Sequence, residues 1–265
     1  MKKRIFYLVN IFFIFSLQVL ALNFTNSKEI EKIFQEHQVK GTFVLYNPQN
    51  NSFIGYNKER AEERFYPAST FKIYNSLIGL ETGVIKNVDE VFYKYNGEKV
   101  FLKNWAQDSS LRYAIKVSQV PAYQLLARKI GIEKMQNEIN KLNFGNKQLG
   151  KKVDQFWLRG PLKISAVEQC ELLAKLANGE LPYSENNQKQ IQDITILEST
   201  ESWTLHGKTG WATSNIEIPV GWFVGWVEKN GEIYSFAINL EMKDGKDLPK
   251  REEIAKDSLK VLGVL

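Results

Sequence analysis

One cysteine and two histidines in 265 residues close off several kinds of chemistry at the outset. The single Cys170 has no partner for an intramolecular disulfide, so in an oxidising compartment the chain must be held by packing. It sits among apolar residues of a helical segment and reads as a small buried hydrophobe. Two His and one Cys make no convincing zinc set, and no metal is expected. His37 lies in a charged, exposed stretch. His206 falls on the strand face of Lys208 and Gly210 and reads as structural, so a Ser-His-Asp triad is disfavoured. No internal repeat, low-complexity tract or linker rich in Pro, Gly and Ser interrupts the chain, which argues against a string of modules. A strong charge excess is missing too. The net charge is +5, and Lys2, Lys3 and Arg4 carry three of those charges in the N-terminal segment, so the rest of the chain is near +2 and no nucleic-acid partner is implied.

That segment has a pattern of its own. Met1-Lys2-Lys3-Arg4 precedes an apolar run from Ile5 to Ala21, broken only by Asn10, Ser16 and Gln18. A basic n-region, an apolar h-region and small residues Val19 and Ala21 at −3 and −1 describe a signal peptide over residues 1–21. The run is close to the lower length limit for a membrane span and contains polar residues, so cleavage is expected rather than retention as an anchor. Residues 22–265 then form one domain, large enough for a substantial core and without stable membrane association.

Periodicity along that domain predicts an amphipathic helix capped by Asn26 and running to about Gln38, then a hairpin of Gly41 to Asn47 and Ser52 to Tyr56. Helices follow over Ser69–Leu80, Ala122–Ile130, Glu133–Leu142 and Ala166–Ala177. The last opens on a capping box, Ser165-Ala166-Val167-Glu168, and stops at Asn178-Gly179. Strands return at Trp203–Trp211, Val220–Glu228 and Glu232–Met242, and a final helix spans about Lys250 to Leu262. Strands from both ends of the chain around a helical middle suggest an α+β fold, an antiparallel sheet flanked by helices beside an all-helical region.

The chemistry concentrates in Pro67-Ala68-Ser69-Thr70-Phe71-Lys72. Residues at i and i+3 of a helix are neighbours, so the Lys72 amine can reach the Ser69 hydroxyl. Ser-x-x-Lys alone is expected about once by chance in a chain of this length. Its order with Ser118-Gln119-Val120 and Lys208-Thr209-Gly210 is what gives it weight, a combination that marks penicillin-recognising serine enzymes. A serine hydroxyl needs a base, and with histidine set aside Lys72 is the candidate. An ammonium cannot accept a proton, but burial lowers a lysine pKa. On a strand edge, Lys208 and Thr209 suit an anionic substrate carboxylate, and Gly210 has no Cβ, so a ligand can lie against the backbone.

These elements, with Phe156-Trp157-Leu158, Lys208-Thr209-Gly210-Trp211, Gly221-Trp222-Phe223-Val224-Gly225-Trp226 and Arg251, resemble the class D serine β-lactamases, or oxacillinases. One departure is Phe144-Gly145-Asn146, where the family usually has Tyr-Gly-Asn. The resemblance implies a penicillin-recognising serine β-lactamase/transpeptidase-like fold and a periplasmic enzyme acting on β-lactams. It implies that Ser69 is the nucleophile and that Lys72 is an N6-carboxylysine, formed with CO2 or bicarbonate and without other cofactors. Val120, Trp157 and Leu158 would surround the amine, and Trp157 Nε1–H would donate to the carbamate. Ser118 would shuttle a proton to the leaving lactam nitrogen, the backbone N–H groups of Ser69 and Trp211 would form an oxyanion hole, and Arg251 would bind the substrate carboxylate with Lys208 and Thr209. The sequence leaves monomer and homodimer both open. Two rivals share the Ser-x-x-Lys site, a β-lactam-sensing receptor ectodomain and a penicillin-binding peptidase. The single short apolar segment near Met1 argues against the first, and apolar Val120 and the short chain argue against the second.

Overall fold

Seven runs of strand-forming residues pair into one sheet in a computed structural model that describes residues 22–213 and 216–265. The expected signal peptide lies outside the described residues. The strands are β1 (Phe24–Asn26), β2 (Gly41–Asn47), β3 (Ser52–Tyr56), β4 (Ile196–Ser199), β5 (Trp203–Ala212), β6 (Val220–Lys229) and β7 (Glu232–Glu241), in the order β1-β3-β2-β7-β6-β5-β4. Asn230 and Gly231, both with positive φ (54° and 78°), close the β6–β7 hairpin as expected of an Asn-Gly turn.

Both faces of the sheet are covered. Along β6, Trp222, Val224 and Trp226 join a core shared with the helical region, while Phe223 and Val227 join a second core. That alternation is the period of two a strand imposes. The second core is closed by α1 (Lys28–Glu36) and α10 (Lys250–Val261), through Ile30, Phe34, Ile254 and Leu259. On the other face, α8 (Ala166–Ala177) lies across β2, β6 and β7. Beyond it stand α3 (Lys72–Glu81), α4 (Leu111–Lys116), α5 (Val120–Ile130), α6 (Ile132–Leu142) and α9 (Glu185–Ile194). The expected capping box opens α8: Glu168 N–H donates to Ser165 Oγ (3.2 Å) and Ser165 N–H donates to Glu168 Oε2 (2.9 Å).

Two expectations need correction. The sheet is mixed rather than purely antiparallel, because β1 runs parallel to β3. Parallel pairing needs a long connection, and here α1 and β2 both lie between β1 and β3 in the chain, the β2–β3 turn bringing β3 back parallel to β1. For the same reason Asn26 is a strand residue paired with Gly55, and the cap of α1 is Ser27, whose Oγ accepts from Ile30 N–H (3.3 Å). Four short or polar helices were not foreseen: α2 (Lys58–Glu62), α4, α7 (Phe156–Arg159) and α9. In α9 only Gln188, Ile191 and Ile194 are buried, so its apolar stripe is faint.

Phe144-Gly145-Asn146 fastens the loop that follows α7. Asn146 Nδ2 donates to Pro161 O (2.9 Å), and its Oδ1 accepts from Lys163 N–H (3.0 Å). Gly145 has φ +49°, and a Cβ there would stand 1.9 Å from Lys163 O. Gly145→Ala should therefore lose more than the roughly 1–2 kcal/mol that left-handed backbone alone costs an L-residue, measured by urea unfolding. A loss within 0.5 kcal/mol, about the scale of an ordinary surface change, would mean that this junction does not constrain the loop.

Candidate active site

Local sequence puts Ser69 on a single 3-10 turn, Ala68–Phe71, that runs into α3. Ala68 takes φ +48°, an unusual conformation for a residue with a Cβ. Ser69 is partly exposed, whereas Lys72, one turn on, is fully buried. Lys72 Nζ lies 2.9 Å from Ser69 Oγ, 2.9 Å from Ser118 Oγ and 2.6 Å from Ser118 O. The Tyr123 ring on α5 lies 5.4 Å below the amine. Ser118 also has positive φ (55°), which turns its side chain and carbonyl toward one atom. Trp105 holds this bend by donating Nε1–H to Val117 O (2.9 Å), and buried Gln119 donates Nε2–H to Trp105 O (2.7 Å). Val120 opens α5, half-buried beside Pro121.

Burial drives the Lys72 pKa well below its ordinary value, and the Lys208 charge pushes it the same way. Lys72 Nζ donates to Ser69 Oγ and to both Ser118 oxygens. Loss of one proton would leave two N–H donors and a lone pair within reach of Ser69. The wall is aromatic. Phe71, next to Lys72, packs on Phe144 (5.3 Å), Phe156 (5.2 Å) and Trp157 (5.9 Å between centroids). Trp157 is fully buried, and its Nε1–H has no partner among the described residues.

Strand β5 supplies the other side. Gly210 faces the Ser69 turn so closely that a Cβ on it would stand 3.0 Å from Pro67 O and 3.1 Å from Thr70 Cγ2. The missing side chain at Gly210 thus admits the nucleophile turn, a packing reason beside the expected one of room for a ligand. Lys208 is buried, with Nζ donating to Thr209 O (3.1 Å), and Thr209 is half-exposed. Burial and, next, the charge of Arg251 lower the Lys208 pKa to about 7. Arg251 reaches in from α10: Nε–H donates to Leu248 O (2.7 Å) and Nη1–H to Gly210 O (2.8 Å). Its own pKa falls to about 10 through burial, so it stays charged at neutral pH. Trp211 follows on β5, paired in the ladder with Gly221.

The expected site residues lie in two layers that meet where the Ser69 turn packs on β5: Ser69, Lys72, Ser118 and Trp157 on one side, and Lys208, Thr209, Trp211 and Arg251 on the other. His206 stays outside this junction. The ring is stacked on Trp226 (4.3 Å), its Nδ1 is 3.0 Å from Gln192 O, and Nε2 is 3.3 Å from Glu228 Oε1, a structural role as expected.

The description of the penicillin-binding protein transpeptidase domain matches residues 41–260. β-Lactamase OXA-5 of Pseudomonas aeruginosa is 39% identical over 100% of this chain and 99% of its own length. The crystal structure of FUS-1 (OXA-85), a class D β-lactamase from Fusobacterium nucleatum subsp. polymorphum, is 58% identical, covers 91% of this chain and 100% of its own, and superposes with a TM-score of 0.89. The chain belongs to the class D β-lactamases. β-Lactamase OXA-48 of Klebsiella pneumoniae, 37% identical over 93% of this chain and 92% of its own length, is a further relative. As a class D β-lactamase the chain is a serine-based hydrolase on the transpeptidase fold.

Three participants went unread in the sequence. Tyr123 and Trp105 belong to no motif, and Gln119 stands inside Ser118-Gln119-Val120 with no role read for it; their contacts come from packing against Ser118 and Lys72.

The lowered Lys208 pKa has a consequence for stability. Folded Lys208 releases its proton near pH 7, whereas in the unfolded chain it does so near 10.5. Between those values the unfolded chain binds more protons, so stability rises with pH across that window and the penalty is greatest below it. Lys208→Met should be more stable than the wild type at pH 7, with the gap closing toward pH 10. Lys72 contributes in the same direction in both proteins. Urea unfolding at a series of pH values checks this, and a pH-independent difference would contradict it.

Proposed function

We propose that Ser69 attacks the β-lactam carbonyl, that Lys72 works as an N-carboxylated general base, and that water then releases the ring-opened acid. The chain is a β-lactam hydrolase of class D, and such hydrolysis confers antibiotic resistance. The observation that carries the assignment of roles is the contact of 2.9 Å between Ser69 Oγ and a fully buried lysine amine with no carboxylate among the causes of its shifted pKa.

The residues present fit a carbamate. Its formation requires a neutral amine, which burial supplies, and an anion in that pocket needs a donor, which the unpartnered Trp157 Nε1–H offers. When formed, the carbamate supplies an anionic acceptor for the proton of Ser69 and then of water. The rest falls to the chain. The Ser69 and Trp211 N–H groups stabilise charge on the carbonyl oxygen, and one such donor typically accounts for about 10²–10³ in rate. Ser118 Oγ, 2.9 Å from the amine, passes a proton toward the lactam nitrogen. Lys208, Thr209 and the remaining guanidinium nitrogen of Arg251 hold the substrate carboxylate, and Val120 and Leu158 help keep the pocket apolar. A bound carboxylate favours the charged form of Lys208 and so strengthens its own site. Export to the periplasm with loss of residues 1–21 completes the reading, which N-terminal sequencing of the mature protein tests.

Ser69→Ala should leave the fold intact and remove turnover by a factor on the order of 10⁶. Retention of more than about a thousandth of the wild-type rate would exclude Ser69 as nucleophile. Activity should fall below about pH 6 and after degassing, since acid and CO2 depletion both reverse carboxylation, and bicarbonate should restore it. Trp157→Ala should raise the Lys72 pKa by admitting water, slow deacylation more than acylation, and deepen the need for bicarbonate. A ¹³C resonance from labelled bicarbonate on Lys72 is the direct test. Full activity without that signal would leave the bare neutral amine, already 2.9 Å from Ser69 Oγ, as the base.

A further inference from the structure

Helix α8 carries a polar side chain where its pattern calls for an apolar one. Ala166, Gln169, Cys170 and Leu173 share one stripe at helical spacing, all of them are buried, and Gln169 has no exposed surface. Its amide is half satisfied: Nε2–H donates to Thr70 Oγ1 (2.9 Å), and Oε1 is buried with no partner among the described residues. A methionine or leucine would fill this position without stranding an oxygen. What distinguishes Gln169 is therefore the bond made by its other end.

That bond leads straight to the nucleophile turn. The Thr70 hydroxyl spends its hydrogen on Pro67 O (2.7 Å), which leaves a lone pair as the acceptor for Gln169 and fixes the direction of the chain. Thr70 N–H reaches the same carbonyl (3.1 Å), so Pro67 O receives two bonds from Thr70. Between them lies Ala68, held at φ +48°. A non-glycine residue stays in that region only when its surroundings over-determine it. The two atoms nearest the missing Cβ of Gly210 are Pro67 O and Thr70 Cγ2, so the groups that Gln169 organises are those that seat the turn on β5. Trp211 is the next residue of that strand.

We infer that Gln169 is a positioning residue for acylation: acting through Thr70, it holds the Ala68 backbone in its left-handed conformation and sets Ser69 in register with β5. The inference rests on Ser69 being the nucleophile.

Single-turnover acylation by a chromogenic cephalosporin, followed in the mature enzyme with bicarbonate present, tests it. Gln169→Met keeps the volume and removes the donor. It should slow acylation at least tenfold with little change in the preceding binding constant, since small misplacements of reacting groups cost rate far more than affinity. Thr70→Val, which removes that bond together with the hydroxyl's own bond to Pro67 O, should slow acylation at least as much, and Thr70→Ser should stay within about threefold of the wild type. Ala68→Gly added to Gln169→Met should recover at least threefold, because glycine adopts positive φ without support. A purely structural role would lower the melting temperature while leaving acylation per folded enzyme unchanged and unrescued by glycine. Acylation within twofold of the wild type in folded Gln169→Met or Thr70→Val, or no recovery from Ala68→Gly, overturns the inference. Mass spectrometry of the adduct separates the two readings. Wild-type enzyme without a label on Ser69 refutes the nucleophile assignment, whereas label on Ser69 at the wild-type rate in the variants refutes the positioning role alone.

Discussion

Keeping a lysine amine out of water costs several kcal/mol unless it sheds its proton, and much of the architecture around α3 makes shedding it the easier course. Lys72 is fully buried at the first position of that helix, with Phe71 and its ring partners Phe144, Phe156 and Trp157 on one side and the Tyr123 ring beneath. Among the described residues no acid relieves it, and the neighbouring charge, Lys208, presses in the same direction. On the proposed roles, what the site gains is a base without a histidine. Phe144 belongs to the same logic: with a ring edge on both Phe71 and Tyr74, it keeps the wall apolar.

The two layers contribute different things and meet along one line. Helices and their loops bring Ser69, Lys72, Ser118 and Trp157, while β5 and α10 bring Lys208, Thr209, Trp211 and Arg251. Gly210 is the point of closest approach, touched by the Ser69 turn on one side and gripped at its carbonyl by Arg251. On the proposed roles, substrate recognition and nucleophile placement are therefore mechanically joined. A shift of α10 that loosens Arg251 also loosens the strand on which the turn rests.

Much of this was legible in residue order. The period of two in β6 and β7, the Asn-Gly turn, the Ser165 capping box and the Ser-x-x-Lys spacing are local signals, and each has a local counterpart in the structure. The α+β class followed from them. What stayed hidden depends on distant partners. The parallel β1–β3 pair needs α1 and β2 to be in place, and Asn26 looked like a cap until Gly55 claimed its backbone. α9 has too few apolar residues to declare itself. In the site, Ser69, Lys72 and Lys208 announced themselves by motif, whereas Gln169 showed only as a polar residue breaking an apolar stripe, a weak mark before Thr70 is seen opposite it.

The central pairing of the sheet also dictates when this molecule can exist. Val44 on β2 pairs with Ala237 on β7, almost two hundred positions later in the chain. Ser69 and Lys72 leave the ribosome long before the strand that completes their cleft, and the helical layer has no sheet to lie on until β7 has been made. Contacts this remote in sequence raise the entropy of loop closure that must be met before they form, which makes for slow folding. A chain truncated before β7 would leave the apolar face of α8 without the strand it packs on most. The last fifth of the chain, with β6, β7 and α10, is what completes the sheet and covers its second face.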